Sequence, residues 1–208
     1  IDLVILAGGK GSRIKNLLGK YPKPMLKFNE KHFIQYIFNN KSKYNFKRII
    51  ILCGFRSSIF FKKLHKKKIN LTEIICLKEK KLLGTGGALS NLTKLNVKNF
   101  VLVNGDTIFE IDINLLVSSL KKNNIGTIAL IQNKNQVSKK LNNLSLKNNT
   151  VCIKKNSKLM NGGIYFFKKE VFKYILNKKF SLENDLLPKL ISMDKINGKI
   201  FDNFFIDI

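Results

Sequence analysis

The stretch that most constrains the fold is a short apolar run that ends in a glycine-rich, basic loop. Residues 3–6 read Leu-Val-Ile-Leu, which is short for a helix and typical of a buried parallel strand. Three of the four residues at positions 8–11 are glycine, so the backbone there can approach a ligand closely. Lys10 and Arg13 add positive charge beside N–H groups that can turn toward an anion. The pattern predicts a phosphate-binding loop.

A second basic element, Pro22-Lys23-Pro24, follows this loop. Its prolines restrict the backbone and so present Lys23 from a fixed position. The loop lacks the GxxxxGK[ST] pattern. It does not fit a dinucleotide-binding fold either, because Cys53-Gly54 stands where that fold carries Asp or Glu. The loop and the hinge together indicate triphosphate binding, and the alternative is a glycine-rich turn that only connects strand to helix.

Apolar periodicity predicts an α/β fold of the Rossmann-like kind, with a mostly parallel mixed sheet and helices on both faces. Strands are expected at residues 3–6, 48–54, 73–77, 100–106, 126–132 and 160–167, at a hairpin of 144–147 with 150–153, and at 204–207. Helices are expected at residues 32–40, 57–66 and 113–122, and from residues 88, 170 and 181. Residues 133–143 are polar and predict a loop. Ligands of such sheets bind beyond the carboxyl ends of the strands.

Two carboxylates are expected at this edge of the sheet. Asp106 ends the strongly apolar strand of residues 100–106, and a hard oxygen ligand there suits Mg²⁺. The alternative is that Asp106 caps the helix that begins near Ile113, although Asp112 is better placed for that role. Asp207 brings a second carboxylate to a strand end close to the last residue.

Five motifs occur in the order typical of one enzyme family. They are residues 6–13 with 22–25, then 83–89, 103–106, 161–165 and 205–208. Through them the chain resembles the sugar-nucleotide pyrophosphorylases, the nucleotidyltransferases that make NDP-sugars. Within that family it is most similar to the D-glycero-α-D-manno-heptose 1-phosphate guanylyltransferases, especially at residues 84–89 and 161–165.

The resemblance implies transfer of a nucleoside monophosphate, here from GTP, to a sugar 1-phosphate with release of pyrophosphate. It implies catalytic roles for Arg13 on the pyrophosphate, Lys23 at the transfer centre and Asp106, with Mg²⁺ held by Asp106 and Asp207. The implied nucleotide contacts are Leu6, Ala7, Gly8, Gly9, Gly11, Ser12, Arg13, Lys23, Glu79, Gly84, Thr85, Gly87 and Asp106. The implied sugar-phosphate contacts are Gly105, Lys155, Asn161, Gly162, Gly163 and Glu183.

Base and sugar selectivity depend on few of these residues. The Glu79 carboxylate can accept two hydrogen bonds from the N1–H and N2–H₂ edge of guanine, which uracil and thymine do not offer; the alternative is a solvated acid among lysines. Where this chain has Lys154-Lys155, the family has an acidic residue followed by a lysine. We therefore assign binding of the sugar phosphate to Lys155, with Lys154 as the alternative. Gly162 and Gly163 can instead mark a strand bulge, and Ser181 suits a helix cap beside Glu183.

Three alternative functions remain open. The first is a uridylyl- or thymidylyltransferase that acts on a hexose 1-phosphate. The second is a catalytically silent protein that binds a nucleotide sugar. The third is a nucleic-acid binder, because the net charge is +26. The lysines are spread along the chain, however, and the densest run, at residues 62–68, suits the end of a surface helix. We therefore expect neither nucleic acid nor a membrane as a partner.

Composition and length set the remaining expectations. The 208 residues predict one nucleotidyltransferase domain, residues 1–208, without a second domain and with a short tail beyond Ile208. Cys53, Cys76 and Cys152 are expected to be buried free thiols in a reducing cytoplasm. His65 is expected to be solvated, and His32 to begin the first helix. A homodimer is compatible with the sequence.

Overall fold

The computed structural model describes residues 1–11, 19–132, 144–155, 157–176 and 178–208. The strands are β1 Asp2–Ala7, β2 Lys27–Phe28, β3 Lys31–His32, β4 Ile49–Cys53, β5 Lys68–Ile69, β6 Thr72–Lys78, β7 Phe100–Asn104, β8 Thr107–Phe109, β9 Gly126–Gln132, β10 Leu144–Lys147, β11 Thr150–Ile153, β12 Leu159–Phe167, β13 Ile196–Ile200 and β14 Phe205–Asp207. The α-helices are α1 Phe33–Lys41, α2 Ser57–Leu64, α3 Gly84–Gly87, α4 Ile113–Ser118 and α5 Leu187–Ser192. Within these described ranges there are also three 3₁₀ segments, Lys23–Met25, Ala88–Leu95 and Lys169–Tyr174, and a π-helical turn, Leu182–Leu186.

A ten-stranded mixed sheet forms the centre, in the order β10-β11-β13-β9-β12-β7-β1-β4-β6-β5. Strand β1 is parallel to both of its neighbours, with Leu6 opposite Leu52 of β4 and Asn104 of β7. Strand β12 is antiparallel to β7 and β9 and joins the parallel block to the rest of the sheet. The predicted fold class is confirmed.

Both faces of β1 are buried, which explains its uninterrupted apolar sequence. The buried apolar residues form two hydrophobic clusters. Leu3 and Ile5 belong to the cluster that also contains residues of α1, and Val4 and Leu6 belong to the second cluster. Because successive side chains of a strand point to opposite faces, this alternation places one cluster on each side of the sheet.

Several predicted boundaries differ from the structure. The strand expected at residues 100–106 ends at Asn104, and the helices expected at 57–66 and 113–122 end at Leu64 and Ser118. The segments expected as helices from residues 88, 170 and 181 begin as 3₁₀ or π turns rather than as regular α-helix. The hairpin of β10 and β11 and the strand β9 match their predicted bounds. The predicted loop at residues 133–143 lies outside the described residues.

Strand β13 was not predicted, because its Asn-Gly pair is typical of turns. In the fold Asn197 is fully buried. Its Oδ1 accepts the Lys121 N–H at 2.8 Å and its Nδ2 donates to the Asn149 carbonyl at 3.1 Å. These tertiary hydrogen bonds satisfy a polar side chain that the local sequence alone would assign to a loop.

Two expectations about single residues need correction. His65 is half-buried at the end of α2, where its Nδ1 accepts the Cys76 N–H at 3.1 Å, so it is not solvated. Cys152 is only half-buried, whereas Cys53 and Cys76 are buried, and all three thiols are free as expected. His32 is the N-cap residue of α1, also as expected. Within the described ranges, the helices are too short or too polar for a membrane span.

Lys41, the last residue of α1, is only 2% exposed and donates from Nζ to the Phe109 carbonyl at 2.9 Å. The pKa of Lys41 is lowered to about 7, mainly by burial and next by the positive charge of Lys43, against the opposing effect of Glu110. In the unfolded chain the pKa of a lysine is about 10.4. Between these pH values the unfolded state therefore binds more protons, and the contribution of Lys41 to stability rises with pH.

We predict that the free energy of unfolding of the wild type minus that of Lys41→Met rises from pH 7 to pH 9, by at most about 1.4 kcal/mol per pH unit. Denaturant unfolding at several pH values measures this difference. The matched control is Lys47→Met at an exposed position, for which the difference should stay constant. If the difference in free energy of unfolding between the wild type and Lys41→Met were also constant with pH, the conclusion that burial lowers the pKa of Lys41 would be contradicted.

Candidate active site

The carboxyl ends of β1 and β7 meet at one edge of the sheet. The Gly105 N–H donates to the Leu6 carbonyl at 2.9 Å. A Cβ atom at position 105 would lie 2.5 Å from the Leu6 oxygen and 3.1 Å from Pro24 Cγ. Only glycine allows this approach, which places the proline hinge and both strand ends side by side.

Lys23 and Asp106, which were assigned to phosphate and to metal, are direct partners in the structure. Lys23 Nζ lies 2.9 Å from Asp106 Oδ2, and the two side chains are 13% and 34% exposed. Such a half-buried pair is screened by salt less than a surface pair. The hinge therefore presents Lys23 at the end of β7, as its prolines predict.

Asp207, the second predicted carboxylate, lies on a strand next to the segment that carries Asp106. Strand β14 pairs with β8 and places Asp207 opposite Thr107. The Thr107 hydroxyl donates to Asp207 Oδ1 at 3.2 Å, and the Ile208 N–H donates to the Asp106 carbonyl at 3.1 Å. Asp112 caps α4 by accepting the Asn114 N–H at 2.8 Å, so Asp106 is not needed as the cap of that helix.

Glu79 is 7% exposed, so the alternative of a solvated acid is wrong. Its Oε2 accepts the Leu83 N–H at 3.1 Å, and its Oε1 lies so near Gly8 that a side chain at Gly8 would overlap it. Burial raises the pKa of Glu79, and the hydrogen bond from Leu83 opposes this rise. The Glu79 N–H also donates to the Cys53 carbonyl at 2.9 Å. The carboxylate is thus built into the edge formed by β1, β4 and β6.

The glycines of α3 pack against the segment of residues 178–181. The N–H groups of Gly86 and Gly87 both donate to the Phe180 carbonyl, at 3.2 and 3.3 Å. Added Cβ atoms at Gly84, Gly86 and Gly87 would overlap atoms of residues 178–181. The glycine pattern, which predicts contact with a nucleobase, is therefore also required by the packing of these two loops.

Thr85 connects α3 to Glu183. The Thr85 hydroxyl donates to Glu183 Oε2 at 2.7 Å and accepts the Leu182 N–H at 2.9 Å. The Ser181 hydroxyl donates to the same Glu183 oxygen at 3.0 Å. Ser181 also accepts the N–H groups of Glu183 and Asn184, which confirms its predicted role as an N-cap.

Asn161, Gly162 and Gly163 lie where β12 shifts register against β9, between Asn161 and Tyr165. The Asn161 amide donates to the Tyr165 hydroxyl at 2.7 Å and accepts the Gly163 N–H at 3.0 Å. The bulge alternative is therefore confirmed. Asn161 is 9% exposed, and part of its hydrogen-bonding capacity is used within β12.

Tyr165 and Asn104 belong to the motifs but were not predicted as site residues. Tyr165 is fully buried, and its pKa is raised well above the usual value by burial and next by the negative charge of Glu183, with a smaller contribution from Asp106. The Oδ1 atom of Asn104 is buried without a hydrogen-bond partner among the described residues. The sequence signal for both was their place inside glycine-containing motifs.

Two of the predicted site residues, Ser12 and Arg13, lie outside the described residues, and a third, Lys155, is not part of this cluster. Lys155, like Lys154, is exposed after the end of β11, and neither ion pair of the described residues involves it. The arrangement thus combines a lysine, carboxylates on two neighbouring segments and a buried glutamate at one sheet edge, beside backbone that a ligand can approach closely.

Several known proteins are similar to this chain. The nucleotidyl transferase family model matches residues 3–141. Over its whole length the chain is 32% identical to D-glycero-alpha-D-manno-heptose 1-phosphate guanylyltransferase of Campylobacter jejuni, of which it covers 94%. It is 28% identical to the enzyme of the same name from Aneurinibacillus thermoaerophilus, with 100% of the chain and 93% of that protein covered.

The crystal structure of HddC from Yersinia pseudotuberculosis complexed with GMP-PN is similar as well. Its TM-score is 0.81 at 27% identity, and the match covers 99% of this chain and 92% of that one. Sequence motifs, sheet topology and these relatives lead to the same conclusion: the chain belongs to the nucleotidyl transferase family.

Proposed function

We propose that this chain transfers guanosine monophosphate from GTP to D-glycero-α-D-manno-heptose 1-phosphate and releases pyrophosphate. The observation that carries the proposal is the burial of Glu79, 7% exposed, at the sheet edge that also holds Lys23 and Asp106. Similarity over the full chain to two heptose 1-phosphate guanylyltransferases supports it. The free thiols agree with a reducing cytoplasm as the location.

In the proposed reaction a phosphate oxygen of the sugar 1-phosphate attacks the α-phosphorus of the triphosphate. A new P–O bond forms, and the bond from the α-phosphorus to the bridging oxygen breaks as pyrophosphate leaves. The nucleophile is already an anion, so no general base is needed. Lys23 would exchange its carboxylate partner for a phosphate oxygen, Arg13 would bind the pyrophosphate and Lys155 the sugar phosphate. These positive charges would neutralise the charge that develops during transfer.

The residues present fit a magnesium ion. Asp106 immediately precedes β8, and Asp207 lies on β14, which pairs with β8, so the two residues supply carboxylates from neighbouring segments. Within the described ranges no cluster of three or more metal-ligating side chains is found. Mg²⁺ suits this donor set because it takes one or two protein carboxylates and fills its coordination with phosphate oxygens and water. When bound, it would neutralise negative charge on the reacting phosphates.

The remaining assignments concern the base and the sugar. Glu79 Oε1 would accept hydrogen bonds from the guanine edge, together with backbone groups of residues 6–9, 11 and 84–87. Gly105, Asn161, Gly162, Gly163 and Glu183 would surround the sugar. A uridylyl- or thymidylyltransferase and a silent nucleotide-sugar binder are the competing functions.

The proposal is tested by measuring pyrophosphate release with Mg²⁺ for four nucleoside triphosphates, each combined with a panel of sugar 1-phosphates that includes the manno-heptose. We expect release with GTP and the heptose. Release only with UTP or dTTP would keep the reaction and refute the assignment of the base. Absence of release for every pair, from folded protein, would favour the silent binder.

We predict that Glu79→Gln lowers kcat/KM for GTP by about 10- to 100-fold, because one acceptor for guanine becomes a donor. The amide would also match the donor and acceptor of uracil, so the preference for GTP over UTP should shrink. Glu73→Gln, at an exposed position on the same strand, is the matched control and should change neither value. Unaltered selectivity in Glu79→Gln would contradict base recognition by Glu79.

Asp106→Asn and Asp207→Asn should each lower kcat by orders of magnitude while leaving the fold intact, because an amide oxygen carries no charge to hold Mg²⁺. Steady-state kinetics over a range of Mg²⁺ concentrations, with circular dichroism of each variant, measures the effect. The control is Asp202→Asn at an exposed position between β13 and β14. Near-normal turnover in both site variants would refute the metal assignment.

A further inference from the structure

We infer that Thr85 is a positioning residue that couples the nucleotide loop to the sugar site by holding the Glu183 carboxylate. This inference rests on the proposed function. It assigns the Thr85 hydroxyl to Glu183 rather than to the nucleotide. It also predicts that sugar-phosphate binding depends on a side chain of the loop that is expected to contact the base.

The hydrogen bonds around Glu183 carry the inference. Thr85 and Ser181 both donate to Oε2, at 2.7 and 3.0 Å. Among the described residues no hydrogen bond reaches Oε1. Two donors on one oxygen restrict rotation of the carboxylate and leave the other oxygen to accept from a ligand, and such charge-assisted bonds are stronger than neutral ones.

The position of Glu183 relative to the rest of the site supports the same conclusion. Its negative charge acts on the buried Tyr165 hydroxyl, which is hydrogen-bonded to Asn161 at 2.7 Å. Asn161, in turn, binds the Gly163 N–H. Glu183 is therefore near enough to act electrostatically on the part of β12 that is proposed to surround the sugar, and sugar hydroxyls are the donors that its second carboxylate oxygen would bind.

Thr85 joins this group to the nucleotide side through the backbone. It lies within α3, whose glycine N–H groups are hydrogen-bonded to the Phe180 carbonyl, one residue before Ser181. The Thr85 hydroxyl also accepts the Leu182 N–H at 2.9 Å. A nucleotide that orders α3 would thus order the carboxylate, so each ligand should raise the affinity for the other.

The test compares Thr85→Val with the wild type in steady-state kinetics. Loss of a hydrogen bond to a charged group predicts that KM for the heptose 1-phosphate rises about tenfold and that KM for GTP changes by less than about threefold. Thr85→Ser restores the donor and should restore the wild-type KM. In a Glu183→Gln background, Thr85→Val should add little, because both changes act on one interaction.

The matched control is Thr93→Val, which removes an exposed threonine hydroxyl from the adjacent 3₁₀ segment, where it donates to the Ser90 carbonyl; its KM values should equal those of the wild type. An equal rise of both KM values in Thr85→Val, additive effects with Glu183→Gln, or no rescue by Thr85→Ser would overturn the inference. Circular dichroism identifies any variant that does not fold. If Thr85→Val does not fold, the single variants Thr85→Ser and Glu183→Gln are compared with the wild type instead.

A calorimetric measurement separates this inference from the proposed reaction. The affinity of heptose 1-phosphate is measured with and without a non-hydrolysable GTP analogue. We expect the analogue to raise this affinity in the wild type and to lose most of that effect in Thr85→Val. If the wild type turns over no substrate pair, the proposed reaction fails, whereas the coupling can still be observed. A wild type that shows no coupling, or no binding of the sugar phosphate, refutes the inference.

Discussion

The two parallel hydrogen-bond ladders that join β1 to β4 and to β7 determine where the candidate site lies. Parallel strands end at the same edge of a sheet, so the loops that follow these three strands must meet. Here that edge carries the glycine-rich loop after β1, Gly54 after β4 and Asp106 after β7. Burial of both faces of β1 leaves no alternative register, because a shift by one residue would exchange its two apolar faces.

Close backbone approach at this edge has an energetic consequence. The Gly105 N–H group donates a hydrogen bond to the Leu6 carbonyl, and a side chain at Gly8 would overlap Glu79. Positions 8 and 105 therefore leave little space for any residue other than glycine. Glu79 is buried at the cost of a raised pKa. A carboxylate is kept in such a place only where partners hold it, and the Leu83 N–H is one such partner.

The second half of the site is organised by side chains rather than by strand ends. Thr85, Ser181 and Glu183 form one hydrogen-bonded group, and Asn161 with Tyr165 forms another. Thr85 is far from Ser181 and Glu183 in sequence, and the antiparallel strand β12 carries the second group into the sheet beside β7. The fold thus brings together groups proposed for the nucleotide and for the sugar.

The sequence by itself determined the fold class and the main strands and predicted the residues that are proposed to carry chemistry, because apolar runs and glycine motifs are local signals. Asp106 at the end of β7 and Ser181 as a cap are examples. Only the tertiary structure decided that Lys23 pairs with Asp106, that Glu79 is buried, that residues 196–200 form a strand and that Thr85 binds Glu183. Each of these depends on contacts between distant segments, and periodicity and spacing contain no information on which distant side chain will supply a hydrogen bond.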